Sequence, residues 1–250
     1  MRAQIGLLAV ALFVGHGGEP LVSAGARQGA APPSGPAPAG TDTDAGAFLQ
    51  AVRGSSAVVC TLAGAPVGDG WSYHGAPLAA DAPETILVRW ALRPILDAAD
   101  VPVLAAGLRD GDRCVRSMAA RVLGAAGPEG ARTLVDALED DAPVTRAAAA
   151  EGLGYAEHDV GVRPLIARLR DDDSRVRATA AWALGRMEAH EAVAPLGDAL
   201  ADPVLEVRLA VVEALGDLEF RGALELLLPQ LADDDARIRA AAARAIGEIH

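Results

Sequence analysis

Five copies of one short pattern, each closed by a glycine, decide what this chain can fold into. They read Val115-Arg116…Leu123-Gly124, Thr145-Arg146…Leu153-Gly154, Val176-Arg177…Leu184-Gly185, Val207-Arg208…Leu215-Gly216 and Ile238-Arg239…Ile246-Gly247. The glycines follow one another at intervals of 30, 31, 31 and 31 residues. Self-similarity at a period of about 20 to 50 residues marks an architecture of stacked supersecondary units. A unit of this kind cannot bury its apolar face alone, so each must cover its neighbour.

Each period divides into two short helices. In the third, Val162 to Leu169 carries Leu165, Ile166 and Leu169 on one face, and Asp171-Asp172-Asp173-Ser174 supplies a turn and a cap. The second helix then runs from Arg175 to Leu184, and Gly185 is expected to end it. A leucine stands 16 residues before the closing glycine in all five units (Leu108, Leu138, Leu169, Leu200, Leu231) and another stands 20 before it (Leu104, Leu134, Leu165, Leu196, Leu227). The chain is 51% apolar with 3% aromatics, much of that alanine, which suits helices that approach closely. The expected fold is all-α: an α-solenoid of about five two-helix repeats (102–131, 132–161, 162–192, 193–223, 224–250) behind an irregular helical cap.

Two polar positions recur as strictly as the leucines. An aspartate lies 14 residues before each glycine (Asp110, Asp140, Asp171, Asp202, Asp233) and an arginine eight before it (Arg116, Arg146, Arg177, Arg208, Arg239). A residue repeated in every unit makes the same contact in every unit, which is the behaviour of scaffold. The carboxylates suit free N–H groups at the start of the second helix, and the arginines suit an aspartate or loop carbonyl of an adjoining repeat.

The pattern V-R-x-x-A-A-x-A-L-G, with an L-x-x-x-L helix and a D-D or D-P turn, resembles the short HEAT-like repeats first associated with phycobilisome lyases. Val176-Arg177-Ala178-Thr179-Ala180-Ala181-Trp182-Ala183-Leu184-Gly185 fits at every specified position, and the resemblance covers 102–250. Neither the large aromatics of tetratricopeptide units nor the T-P-L-H of ankyrins is present. Two departures stand out. Pro229 falls inside the first helix of the last repeat, where it should kink the chain. No obvious polar capping unit follows the fifth second helix, so that helix is its own cap or something covers it.

The resemblance implies that second helices line a concave face. The positions that the core pattern leaves free there lie ten, seven and three before each glycine and one after it, and at these the repeats differ. Trp182, the one tryptophan of the array, has Tyr155 and Leu209 on flanking repeats, and Arg121, Arg186, Glu213 and Arg244 share the stripe. Aromatics and arginines anchor interfaces. Trp182 therefore has two readings: a partner anchor, or a ring lying across the neighbouring helix to fill space.

Residues 1–26 read as a secretory signal, with Arg2, the apolar run Ile5 to Val14 and a small-residue cleavage site, against the bland reading of an uncleaved apolar tail. The run is too short to span a bilayer, so no stable membrane insertion is expected after cleavage. Residues 27–43 are an Ala/Pro/Gly-rich tether. The cap spans 44–101: a helix capped by Asp44, a Gly/Pro-rich loop at 64–83, and a helix at 84–99 interrupted by Pro94. Cys60 and Cys114, the only cysteines, are compatible with one disulfide or with two separate thiols.

A formal charge of −12 argues against binding nucleic acid. His158 and His190, accompanied by Glu157, Glu188 and Glu191, lack the tight spacing of a metal site, and no nucleophile with a base or phosphate-cradling loop is evident. No cofactor or metal is expected. The sequence leads to a non-enzymatic scaffold, exported to a periplasmic or extracellular space, that grips a partner protein or peptide. The alternative that the resemblance implies is a subunit of a bilin lyase or isomerase.

Overall fold

The computed structural model describes residues 44–53, 100–156 and 158–249, which belong to one compact unit, Thr43–His250. The expected signal and tether, the loop at 64–83, the helix around Pro94, Cys60 and Glu157 lie outside the described residues.

Among the described residues, helix α1 (Asp44–Arg53) precedes five helix pairs. The first helices are α2 (Asp100–Gly107), α4 (Gly127–Ala137), α6 (Val162–Arg168), α8 (Val193–Ala199) and α10 (Leu224–Leu227). The second helices are α3 (Arg113–Ala125), α5 (Pro143–Leu153), α7 (Ser174–Arg186), α9 (Leu205–Asp217) and α11 (Ala236–Glu248). No strand occurs among the described residues. The fold is an α-solenoid, and α1 packs on α2 and α3 as its N-terminal cap, burying Ala45, Leu49 and Val52. Successive second helices touch along their length, whereas the later first helices meet sparsely. The second helices thus form the continuous row of the stack, the one that the resemblance to HEAT repeats puts on the inner side.

The recurring leucines are the core. Those 20 before each glycine are all fully buried, as are Leu108 and Leu138, and Leu169 nearly so. Alanines at the centre of each second helix let α3, α5, α7 and α9 sit close to one another, as knobs no larger than a methyl permit.

Two expectations need correction. Four of the five closing glycines do not end their helices, since α3, α7, α9 and α11 run one residue past Gly124, Gly185, Gly216 and Gly247, and Gly154, which does close α5, does so with an ordinary right-handed φ of −64. Their role is close approach. A Cβ on Gly185 would stand 2.8 Å from Ala214 Cα, and one on Gly216 2.7 Å from Ala245 Cβ. The left-handed stop after α7 is Glu188 instead (φ 50), with Ala189 N–H donating to Leu184 O and Glu188 N–H to Gly185 O; Glu219 (φ 47) stands in the same place after α9. Asp44 is the first residue of α1 and not its cap; the Ala45 N–H donates to Asp100 Oδ1 at 3.3 Å. Pro229 acts as expected, with α10 giving way to a tighter 3-10 turn over Leu228–Ala232.

An L-residue in the left-handed region is strained by about 1–2 kcal/mol. Glu188→Gly and Glu219→Gly should each raise the unfolding free energy by about 0.5–1 kcal/mol after the extra chain entropy is subtracted, as read from urea melts.

Candidate partner-binding site

The polar ladder holds the turn edge. In all five repeats the aspartate accepts from the backbone N–H two residues on, at 2.8 to 3.0 Å, and the arginine six residues later donates to that aspartate's own carbonyl at 2.6 to 2.9 Å. The N–H served belongs to the residue just before the second helix. That residue caps the helix itself where it is Asp112, Asp173 or Asp235.

Two arginines also reach the next repeat. Arg146 forks onto Asp171 at 2.8 and 2.7 Å, and Arg177 onto Asp202 at 2.6 and 3.0 Å. At the first two junctions a substitute serves: Arg53 of the cap pairs with Asp110, and Arg109 donates to Asp140. Burial alone would raise Asp171 and Asp202, but the arginine forks and the backbone N–H bonds outweigh it and hold both carboxyls below the usual range. Two open clefts also lie on this edge, lined by turn aspartates with Arg146 or Arg208.

On the inner row, four of the singled-out residues converge. The Arg121 guanidinium of α3 lies 4.5 Å from the Tyr155 ring centre, and that of Arg186 on α7 lies 6.0 Å from the same ring. Tyr155 meets Trp182 edge-to-face, with ring centres 5.4 Å apart. Cation–π contact favours such stacking. Trp182 is half-buried and its Cζ3 covers Gly154, where a Cβ would come within 2.6 Å, so its ring also fills the space between α5 and α7. Leu209 is half-buried against the core, and Glu213 pairs with Arg244 at 2.7 Å, both partly exposed.

Two features beside this cluster were not singled out from sequence. Glu151 is buried and accepts from the Ser117 hydroxyl at 2.6 Å; burial pushes its carboxyl up, against that hydrogen bond and the charges of Arg121 and Arg113. The signal for it was a carboxylate within an Ala-rich helix face, opposite a serine one repeat back. Asp217 reaches solvent, yet desolvation and then the Glu248 carboxylate push it up to about 6, with Arg186 opposing. A carboxyl raised on folding lends stability below its unfolded value of 3.8 that is lost as pH rises through about 6. Asp217→Asn should therefore raise the melting temperature at pH 8 and leave it unchanged at pH 4.

His190 does other work. It stacks on Phe220 with ring centres 5.0 Å apart, and its Nε2 lies 3.2 Å from Leu218 O, tying the third repeat to the fourth. No helix among the described residues is long and apolar enough to cross a membrane.

A stack of helix pairs with an invariant edge and a variable inner row is a repeat scaffold, a fold compatible with binding another protein. The chain belongs to the family of HEAT repeats, which matches residues 87–154, 131–215 and 193–250. Among solved structures it is similar to a chain in the complex of CpcE and CpcF of phycocyanin lyase from Nostoc sp. PCC7120, at 25% identity and a TM-score of 0.51, over 73% of this chain and 69% of that one. It is also similar to human deoxyhypusine hydroxylase, at 21% identity and a TM-score of 0.43, over 61% and 74%. A designed armadillo repeat protein matches at 18% identity and a TM-score of 0.43, over 61% and 83%. No curated protein matches the sequence.

Proposed function

We propose that this chain is an exported, non-enzymatic scaffold that holds a partner protein or peptide along the inner row of second helices. The observation that carries this reading is the joining of Arg121, Tyr155, Trp182 and Arg186 from three consecutive repeats into one aromatic and guanidinium surface. Scaffold logic requires none of these side chains, since the equivalent positions elsewhere hold Ala, Arg, Asp or Glu. Rigid aromatics flanked by arginines give contact area at little entropic cost. Leu209 extends the surface towards α9, and the Glu213–Arg244 pair borders it.

The test begins with a pull-down from the extracytoplasmic fraction, followed by affinity measurements on the captured protein. Arg186→Glu should weaken binding at least about tenfold with the melting temperature nearly unchanged, because Arg186 is exposed. Trp182→Ala should weaken it as strongly and also destabilise the fold, given the ring's place over Gly154. Capture unaffected by both substitutions would assign the cluster to packing.

A second reading has one observation in its favour, the likeness to a chain of the phycocyanin lyase complex. On that reading the protein is a subunit of a bilin-attaching enzyme. Mixing it with a bilin decides the matter: a shifted absorption band supports the lyase reading, and an unaltered spectrum supports the scaffold.

A further inference from the structure

We propose that the partner lies on the row of second helices as an extended segment of fixed charge order. Its acidic residue, an aspartate or glutamate, sits where Tyr155 and Arg186 meet, and its basic residue, a lysine or arginine, sits at Asp217. This rests on the reading of the row as a partner's seat and adds what the partner must carry and which way it runs.

The residues just after the closing glycines of the last four repeats form one line across the row: Tyr155, Arg186, Asp217 and Glu248. Arg186 is exposed and, among the described residues, donates to no protein acceptor; the Tyr155 hydroxyl beside it is likewise without a hydrogen-bond partner. The Arg121 guanidinium leans on the same ring, so two like charges converge on one spot of a chain whose formal net charge is −12. Glu151, the carboxylate of that spot, is buried and turned to the Ser117 hydroxyl at 2.6 Å. What these donors lack is an acceptor with a single negative charge, and a carboxylate fits the guanidinium fork. A phosphate chain would be repelled by the acidic remainder of the surface.

One position on, the sign reverses. Asp217 is exposed, and among the described residues its carboxylate makes no ion pair or hydrogen bond, with Arg186 or with any other group. Glu248 turns back towards it, its Oε2 3.2 Å from where a Cβ on Gly216 would stand, while Arg244 is taken up by Glu213 at 2.7 Å. An arriving ammonium or guanidinium relieves the crowding of Asp217 by Glu248. Trp182 and Leu209, both half-buried, lie between the two charges, so the segment sets an apolar side chain there. Packed helices stand about 8–10 Å apart, which puts Asp217 about 12–15 Å beyond the junction of Tyr155 and Arg186. That is about four residues of extended chain. Opposite charges at a fixed separation set both register and direction, with the acidic residue towards α3 and the basic one towards α11.

Panning a displayed library of random peptides, long enough to span both seats, against the full chain tests this. Enriched sequences should carry an acidic residue and, about four residues away in one constant order, a basic one, with an apolar residue between. Arg186→Glu should turn the first preference to Lys or Arg and leave the second alone; Asp217→Lys should do the converse. In solution, a selected peptide whose acidic residue is changed to Lys should lose at least about tenfold in affinity for the unaltered chain and regain it on Arg186→Glu. Both substituted positions are exposed, so melting temperatures should stay close to that of the unaltered chain. Peptides that depend on Trp182 but show no charge order, or whose preferences both reversals leave unchanged, would overturn this inference and leave the row as a partner's seat. A library without binders, or binders indifferent to Trp182→Ala and to both reversals, would overturn the seat as well.

Discussion

Gly124→Ala and Gly185→Ala should each cost about 2–4 kcal/mol of stability, while Gly247→Ala should cost nothing and add up to about 1 kcal/mol. The same residue at the same place in the repeat thus gives opposite signs. A methyl on Gly124 would strike the Gly152 carbonyl, and one on Gly185 would stand 2.8 Å from Ala214 Cα. Both obstacles are backbone and cannot rotate away, so α5 or α9 must move and loosen the alanine contacts beyond. Gly247 faces open space, and there only the helix preference for alanine remains. Urea melts of the three variants measure the difference. Equal losses at all three would mean that the glycines act through local backbone preference, not through stacking.

The second large effect belongs to the ladder. Asp171→Ala should lose about 3–5 kcal/mol, because it strands the Arg146 guanidinium, 13% exposed, and frees the Asp173 N–H. Asp198→Ala, which breaks the Arg170–Asp198 pair at 82% and 72% exposure, should change stability by less than about 0.5 kcal/mol. The acid limb follows the same logic. Asp171 titrates in the fold below its ordinary 3.8, so its contribution is complete above that value and is lost as pH falls towards the depressed one. Thermal melts between pH 5 and pH 2 should show a shallower acid decline for Asp171→Ala than for the unaltered chain.

The fold was legible because a solenoid repeats its instructions. Five leucine pairs, five aspartates and five arginines at fixed offsets leave little choice of architecture, although only Arg146 and Arg177 are seen to reach the next repeat and Leu231 is exposed. The glycines were misjudged for a reason of range: a glycine just after a helical pattern signals a stop locally, but its use here depends on a helix 30 residues away. The left-handed stops fell to Glu188 and Glu219, residues with no preference for that conformation, so nothing local announced them. Arg121, Tyr155, Trp182 and Arg186 could be placed on one stripe by periodicity. That Tyr155 would receive both guanidiniums and the tryptophan edge depends on side-chain packing between repeats, which spacing does not encode. Glu151 and Asp217 stand on the same stripe, but their raised carboxyls depend on desolvation by neighbouring repeats and, for Asp217, on Glu248, which residue type does not announce.

The inner row of second helices is the proposed seat of the partner. A photo-crosslinking amino acid placed at Leu209 on that row, and separately at Ala167, exposed on a first helix, addresses it in the producing cell. Irradiation should yield a discrete adduct from position 209 and none from 167. An adduct from 167 alone, or none from either, would contradict it.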